Sequence, residues 1–343
     1  MTGRNMSEPL IEIEGLVTEF RTEGGVVRAV NGIDFSIPKG GTVAVLGESG
    51  CGKSVTGQCL LNLVRKPGYI ASGSIRYHGG DKPVDITKLK PTSEAMRKLR
   101  GPEIAMIFQE PMTSFDPLFT VGEQIIEMLM AHQRFPNRRE AREHAIEMLR
   151  KVRLPSPEII VDRYPHQLSG GMRQRVMIAL ALSCGPKLLI ADEPTTALDV
   201  TTESQILDLL RQLQGEMDMA MMFITHDLAV ASEIADEVVV MYLGYIVERG
   251  PVAEVLSAPQ HPYTQALLDS IPKLTDSAST RLNAIQGMVP TPDQMPSGCP
   301  FHTRCTKFMA GLCDQKLPGL YESSAGHVAR CFLADPQFAG AAA

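Results

Sequence analysis

The stretch Gly47-Glu48-Ser49-Gly50-Cys51-Gly52-Lys53-Ser54 constrains this chain more than any other. It follows Thr42-Val43-Ala44-Val45-Leu46, a short apolar, β-branched run that predicts a buried strand. A strand running straight into Gly47, Gly50 and Gly52 must end in a turn whose backbone angles are closed to other residues. With Lys53 and Ser54 the pattern becomes G-x-x-x-x-G-K-[ST], a loop whose amide N–H groups cradle phosphates. A helix is predicted to begin near Lys53, so that its positive N-terminal end faces the same phosphates. Lys53 is then assigned to the β- and γ-phosphates and the Ser54 hydroxyl to Mg²⁺. A chance glycine-rich turn would explain neither the strand before nor the helix after.

Lys187-Leu188-Leu189-Ile190-Ala191-Asp192-Glu193 supplies a second piece of chemistry. An apolar strand that runs into two acids is costly unless the carboxylates are paired or bind metal. Asp192 is expected to hold Mg²⁺ through water, and Glu193 to polarise an attacking water. Alone, the pair would read as a strand ending in a solvated acidic turn. Its context weighs against that: Pro194-Thr195-Thr196-Ala197-Leu198-Asp199 follows, then Phe223-Ile224-Thr225-His226-Asp227. A further motif precedes it, Leu168-Ser169-Gly170-Gly171-Met172-Arg173-Gln174-Arg175.

With these motifs the chain resembles the ATP-binding subunit of an ABC transporter over roughly residues 9 to 258. The resemblance implies that residues Gly47, Glu48, Ser49, Gly50, Cys51, Gly52, Lys53 and Ser54 bind ATP. It makes Gln109, in Met106-Ile107-Phe108-Gln109-Glu110-Pro111, a glutamine that senses Mg²⁺ and the membrane subunits, and His226 a histidine that contacts the γ-phosphate. Phe20 sits where the family stacks an aromatic on adenine, with packing as the alternative. Ser169, Gly170, Gly171 and Asp199 are expected to complete the site of an opposing subunit. Phosphate loop and Ser169-Gly170-Gly171 lie about 115 residues apart, so two subunits would pair head to tail with ATP at each seam. Residues 110–118 are the expected contact with a membrane subunit.

The implied architecture is an α/β, ABC-type phosphate-loop ATPase. It has a mostly parallel core sheet, an antiparallel β-subdomain, a helical subdomain at about 90–180, and a small cysteine-rich C-terminal extension. Ile11-Glu12-Ile13-Glu14 is the clearest antiparallel strand, and Val121 to Gln133 is apolar at helical spacing. The domains expected are residues 9–258 for the ATPase, 259–335 for the extension and 336–343 for a flexible tail. At 343 residues with 44% apolar content the chain can build a sizeable core, and a net charge of −6 argues against nucleic acid as main partner. No apolar run approaches the roughly 18 residues of a membrane span, and residues 1–8 lack a signal-peptide core. The expected location is the cytoplasmic face of the cell membrane, held there by permease subunits.

The tail narrows the reading. His261-Pro262-Tyr263-Thr264-Gln265-Ala266-Leu267-Leu268 precedes a stretch broken by Pro272, Pro290, Pro292 and Pro296. With Tyr164-Pro165-His166-Gln167, this is similar to the ATP-binding subunits of dipeptide and oligopeptide importers, over roughly residues 9 to 332. The partners so implied are a second, paralogous ATPase subunit, two permease subunits and, indirectly, a substrate-binding protein. Nickel complexes, oligosaccharides or microcins are alternative cargoes. Cys299, Cys305, Cys313 and Cys331 are spaced C-x5-C-x7-C-x17-C, without the C-x2-C knuckle usual for zinc. Family resemblance favours a [4Fe–4S] cluster on these four thiolates, with Zn²⁺ or unligated thiols as alternatives. Little apolar sequence appears available to fold this segment otherwise. Cys51, Cys59 and Cys184 read as core residues. Two further classes fit less well: a soluble ABC ATPase acting on ribosomes or DNA meets a single phosphate loop and no long heptads, and a redox sensor leaves the catalytic set unexplained.

Overall fold

The computed structural model describes residues 8–109, 115–196, 198–270, 285–291 and 294–338. Part of the expected permease contact (110–114), Pro272, Pro292 and residues 339–343 of the expected tail lie outside them. The chain forms two compact units: residues 1–11, 37–41 and 77–224, and residues 12–36, 42–76 and 225–343.

In the second unit, β1 (Pro9–Thr22), from Glu12 on, turns tightly into β2 (Gly25–Pro38), so the two run antiparallel, and β4 (Gly68–Tyr77) flanks β1. The predicted alternation holds. Ile13 and Leu16 are buried, while Glu12 and Glu14 take Arg76 of β4 at 2.9 and 2.7 Å. The other strands are ordered β11-β12-β10-β9-β3. Here β3 (Thr42–Leu46), buried along its whole length, pairs parallel with β9 (Glu237–Tyr242), with Leu46 opposite Val240. β9 then turns at Leu243-Gly244, both at positive φ, into the antiparallel β10 (Tyr245–Pro251).

The C-terminal extension continues this sheet. β12 (His327–Ala329) pairs antiparallel with β10, and β11 (Tyr321–Ser324) with β12. Its apolar groups enter the same core: Cys299, Phe301, Cys313 and Phe332 pack with Leu46, Val240, Tyr242 and Val247. Burying each large side chain contributes about 1.5–3 kcal/mol. The expectation that this segment lacks apolar means to fold is therefore corrected.

In the first unit, β8 (Ala220–Thr225, up to Ile224), β7 (Leu188–Asp192) and β6 (Ile104–Ile107) run parallel. All are buried throughout, as parallel strands covered on both faces must be. β5 (Val84–Asp85) is a two-residue strand. The stretch 90–180 is not helical throughout, because the four apolar residues of β6 pair with β7 inside it. Its longest helices are Val121–Ala131, Arg138–Lys151 and Gly170–Leu182, started by side-chain caps from Thr120, Asn137 and Ser169. Ile125 and Leu129 on the first face inward, as do Ala141, Ala145 and Met148 on the second, which is the predicted helical spacing.

One buried polar cluster has a pH signature. His261, 1% exposed, caps helix Pro262–Asp269 by accepting the Tyr263 N–H on Nδ1, and its own N–H donates to Glu248. Burial, aided by the Arg330 charge, pushes its pKa down to about 3. Protonation would set a donor against a donor. Below the unfolded value of about 6.5 the folded chain binds fewer protons than the unfolded one, so stability falls as pH drops. Between pH 6.5 and 5 the loss should be about 2 kcal/mol. Urea unfolding at several pH values should show this, and His261→Asn, which can still cap, should flatten the slope. Equal slopes would refute it.

Candidate functional site

The predicted phosphate loop lies wholly in the second unit. Gly47 takes φ +149°, and a Cβ there would lie 2.2 Å from the Met241 carbonyl oxygen. Gly52, at φ +102°, would place one 2.4 Å from the Ala29 oxygen. Only glycine lets the chain pass between these backbones. The predicted helix begins at Lys53 and runs to Leu60, with Gly52 as a cap that offers no side chain to its first amides. Lys53 is 4% exposed and donates from Nζ to the carbonyls of Gly47 (2.7 Å) and Glu48 (3.2 Å). Ser49 and Gly50 are exposed and Ser54 is half-buried. Cys51 is a core residue, its thiol pKa pushed up by burial. Exposed Ser49 and Gly50, a helix start and a lysine in reach of the loop fit a triphosphate.

Two side chains hold Glu48 that the sequence reading left without a role. The Glu48 N–H donates to Tyr263 Oη (2.9 Å), and its carboxylate accepts from Arg304. Phe20 is half-buried, with its ring against Gly68, where a Cβ would lie 2.5 Å from Cε1. His226 is exposed just after β8, and Asp227 caps the next helix by accepting from Ala229 and Val230.

The first unit brings together another set. Asp192 ends β7, 4% exposed and opposite Ile224. Glu193 follows at φ +46°, a left-handed conformation uncommon for a non-glycine residue, and its N–H donates to the Ile224 carbonyl (3.0 Å). Glu193 Oε2 accepts from Gln109 Nε2 and from Thr196 Oγ1, each at 3.0 Å. Thr196 lay in a quoted motif, but nothing in its type marked it as a partner. Ser169 caps its helix by accepting from Met172, and Asp199 caps helix Val200–Met217 by accepting the Thr202 N–H and hydroxyl. A Cβ on Gly171 would meet Thr202 Cγ2 at 3.1 Å, so Ser169-Gly170-Gly171 and Asp199 share one surface. Ser169, Gly170 and Asp199 are exposed on it.

The tail cysteines gather without forming a metal centre. Cys299, Cys313 and Cys331 are buried and Cys305 half-buried, all in or against the second unit's core. Burial first, then the neighbouring cysteines, raise the thiol pKa of Cys299 to about 12 and of Cys331 to about 11. Among the described residues no group of three or more His, Cys, Asp or Glu is placed to hold a metal ion. The [4Fe–4S] and Zn²⁺ expectations therefore gain no support from this geometry. Nor is any helix among the described residues long and apolar enough to cross a membrane.

The glycine geometry makes a sharp prediction. Gly52→Ala must push a methyl against the Ala29 carbonyl in a backbone conformation alanine avoids, at a cost of at least 1–3 kcal/mol. The loop should distort and ATP binding should fall at least tenfold by fluorescent-nucleotide titration. Gly50→Ala, with nothing within 4 Å, carries only the cost of its φ of +80° and should bind better than Gly52→Ala.

Comparison with known proteins agrees with both halves of this picture. Residues 30–196 match the ABC transporter family and residues 247–313 the oligopeptide/dipeptide transporter C-terminal region. The oligopeptide transport ATP-binding protein AppD of Bacillus subtilis (strain 168) is 50% identical over 325 residues, covering 94% of this chain and 96% of its own. OppD of the same organism, also an oligopeptide transport ATP-binding protein, is 46% identical over 329 residues, covering 95% and 89%. The dimeric structure of MJ0796, a bacterial ABC transporter cassette, superposes with a TM-score of 0.62 at 27% identity, over 71% of this chain and 98% of that one. The chain belongs to the ATP-binding subunits of ABC transporters, in the branch that carries the oligopeptide/dipeptide C-terminal region.

Proposed function

We propose that this chain hydrolyses ATP to drive import of di- or oligopeptides through a multisubunit ABC transporter. The observation that carries the reading is the Gln109–Glu193–Thr196 set at the end of β7. It is a carboxylate at the end of an apolar strand, oriented by two neutral donors. Peptide cargo is supported by AppD and OppD, both oligopeptide transport ATP-binding proteins.

Mg²⁺, when bound, neutralises phosphate charge. Lys53 leaves the Gly47 and Glu48 carbonyls for the β- and γ-phosphates, and the loop amides hold the same groups. Ser54, Asp192 and Gln109 serve as direct or water-bridged Mg²⁺ partners. Glu193 accepts a proton from water as its oxygen attacks the γ-phosphorus. The bond to the β–γ bridging oxygen then breaks, giving ADP and phosphate. His226 donates to the γ-phosphate, and Phe20 stacks on adenine. Ser169, Gly170, Gly171 and Asp199 close over the partner's nucleotide, a role supported by the exposure of Ser169, Gly170 and Asp199.

The partners we assign are a paralogous ATPase, two permeases and, through these, a peptide-binding protein, which places the chain at the cytoplasmic membrane face. Exposed Phe108 (41%) and Phe119 (47%) flank the proposed permease contact at 110–118, and exposed Leu118 (79%) lies within it, which supports it. The domains run 9–258 for the ATPase and 259–335 for the extension.

Glu193→Gln should keep ATP binding but slow turnover about 10²- to 10⁴-fold in the assembled transporter with the partner's site inactivated. Lys53→Ala should instead weaken binding itself. Near-normal hydrolysis by Glu193→Gln would overturn the assignment of the base.

For the tail, the number and softness of the four thiols favour a [4Fe–4S] cluster at Cys299, Cys305, Cys313 and Cys331, or Zn²⁺ in its place. Anaerobic preparations should then carry about four iron and four sulfide per chain. Stoichiometric zinc would select the alternative, and four freely alkylated thiols in folded protein would remove both.

A further inference from the structure

We propose that Arg304 of the C-terminal extension positions the phosphate loop through Glu48, so that the extension sets the chain's affinity for ATP. This rests on the ATP-binding reading of the loop. Glu48 is the residue after Gly47, and two side chains more than 200 positions away fix it. Arg304 grips its carboxylate with both arms of the guanidinium, Nη1 to Oε2 at 2.6 Å and Nη2 to Oε1 at 3.1 Å. Surface ion pairs contribute little, but this one is bidentate and its arginine is only 4% exposed. Arg304 is itself anchored, with Nε donating to the Gln286 carbonyl at 3.1 Å and Nη1 to Tyr242 Oη at 3.4 Å. Tyr242, Tyr263 and Phe301 pack on one another with ring centroids 4.8–5.3 Å apart, which makes the anchor rigid.

Peptide planarity gives the clamp its leverage. The Gly47 carbonyl and the Glu48 N–H share one plane and point in opposite directions. The N–H is fixed on Tyr263 Oη, so the carbonyl must face the other way, where Lys53 Nζ meets it at 2.7 Å. Tyr263 therefore sets the orientation of the group that holds the phosphate-binding lysine before nucleotide arrives, and Arg304 fixes the side chain of the same residue, Glu48. A loop ordered in advance binds without the entropy cost of ordering it then. Arg304 touches no phosphate in this scheme. It is a positioning residue.

The test measures binding of a fluorescent ATP analogue to the full chain, with thermal unfolding of each nucleotide-free variant alongside. Arg304→Met should weaken binding about tenfold, and Glu48→Gln by a similar factor. The double variant should be no weaker than either single one, because both remove the same interaction. Arg304→Lys should recover only part, since an ammonium cannot grip both oxygens. An unchanged affinity in Arg304→Met, or losses that add in the double variant, would overturn the proposal. Should Arg304→Met fail to fold, Glu48→Gln decides alone, and an unchanged affinity there is equally fatal. Lys53→Ala separates the two levels. If it still binds nucleotide, the reading of the loop fails, whereas its loss beside a neutral Arg304→Met defeats only the clamp.

Discussion

The close approach of Gly47 to the carbonyl of Met241, where a Cβ would have 2.2 Å, comes from the sheet. β3 and β9 pair in parallel, so the residue that leaves β3 passes beside the end of β9. That crossing admits no side chain and forces the chain into the wide φ of +149°. From there the loop can turn back over its own amides and enter the helix at Lys53. The loop chemistry is thus a consequence of strand register, and the register is held by the continuous apolar run of β3 against Val238, Val239 and Val240.

The parts legible in the sequence are those in which local chemistry and fold agree. β3, the helix start at Lys53 and the burial of Cys51, Cys59 and Cys184 all follow from residue type and spacing. β6 did not, because four apolar residues carry too short a signal to separate a strand from a helical turn. What reveals it is pairing with β7, a contact across some 80 positions. Thr196 and Arg304 escaped for the same reason. Their roles depend on partners that only the folded chain supplies, Glu193 for one and Glu48 for the other.

The extension shows the opposite error, in which composition was read too literally. Few apolar residues suggested a segment with little besides its cysteines to fold it. Yet Phe301 and Phe332 need only a surface to bury against, and β10 offers both an edge and an apolar face. Two short strands there extend the existing sheet, and β12 covers the edge that β10 would otherwise leave open. A small module of this kind can be thin in apolar residues because it borrows the core of its host. The four cysteines lie in or against that packing, and burial pushes Cys299, Cys305 and Cys331 toward the neutral thiol.

The surface around Ser169 shows how one residue can cap a helix and still offer a donor. Its hydroxyl oxygen accepts the Met172 N–H at 3.4 Å, a long bond that starts the helix Gly170–Leu182. A hydroxyl also carries a proton to donate, and that proton is not consumed by capping. Gly170 has nothing within 4 Å of a Cβ position, so an anionic group can come close to the first amides of a thirteen-residue helix whose positive end is exposed. Asp199, tied to the same patch through Thr202, brings a carboxylate whose own needs are already met by that threonine. A site so capped and so open is stable without a ligand and loses little on receiving one. This is what a surface must do if its nucleotide belongs to another subunit.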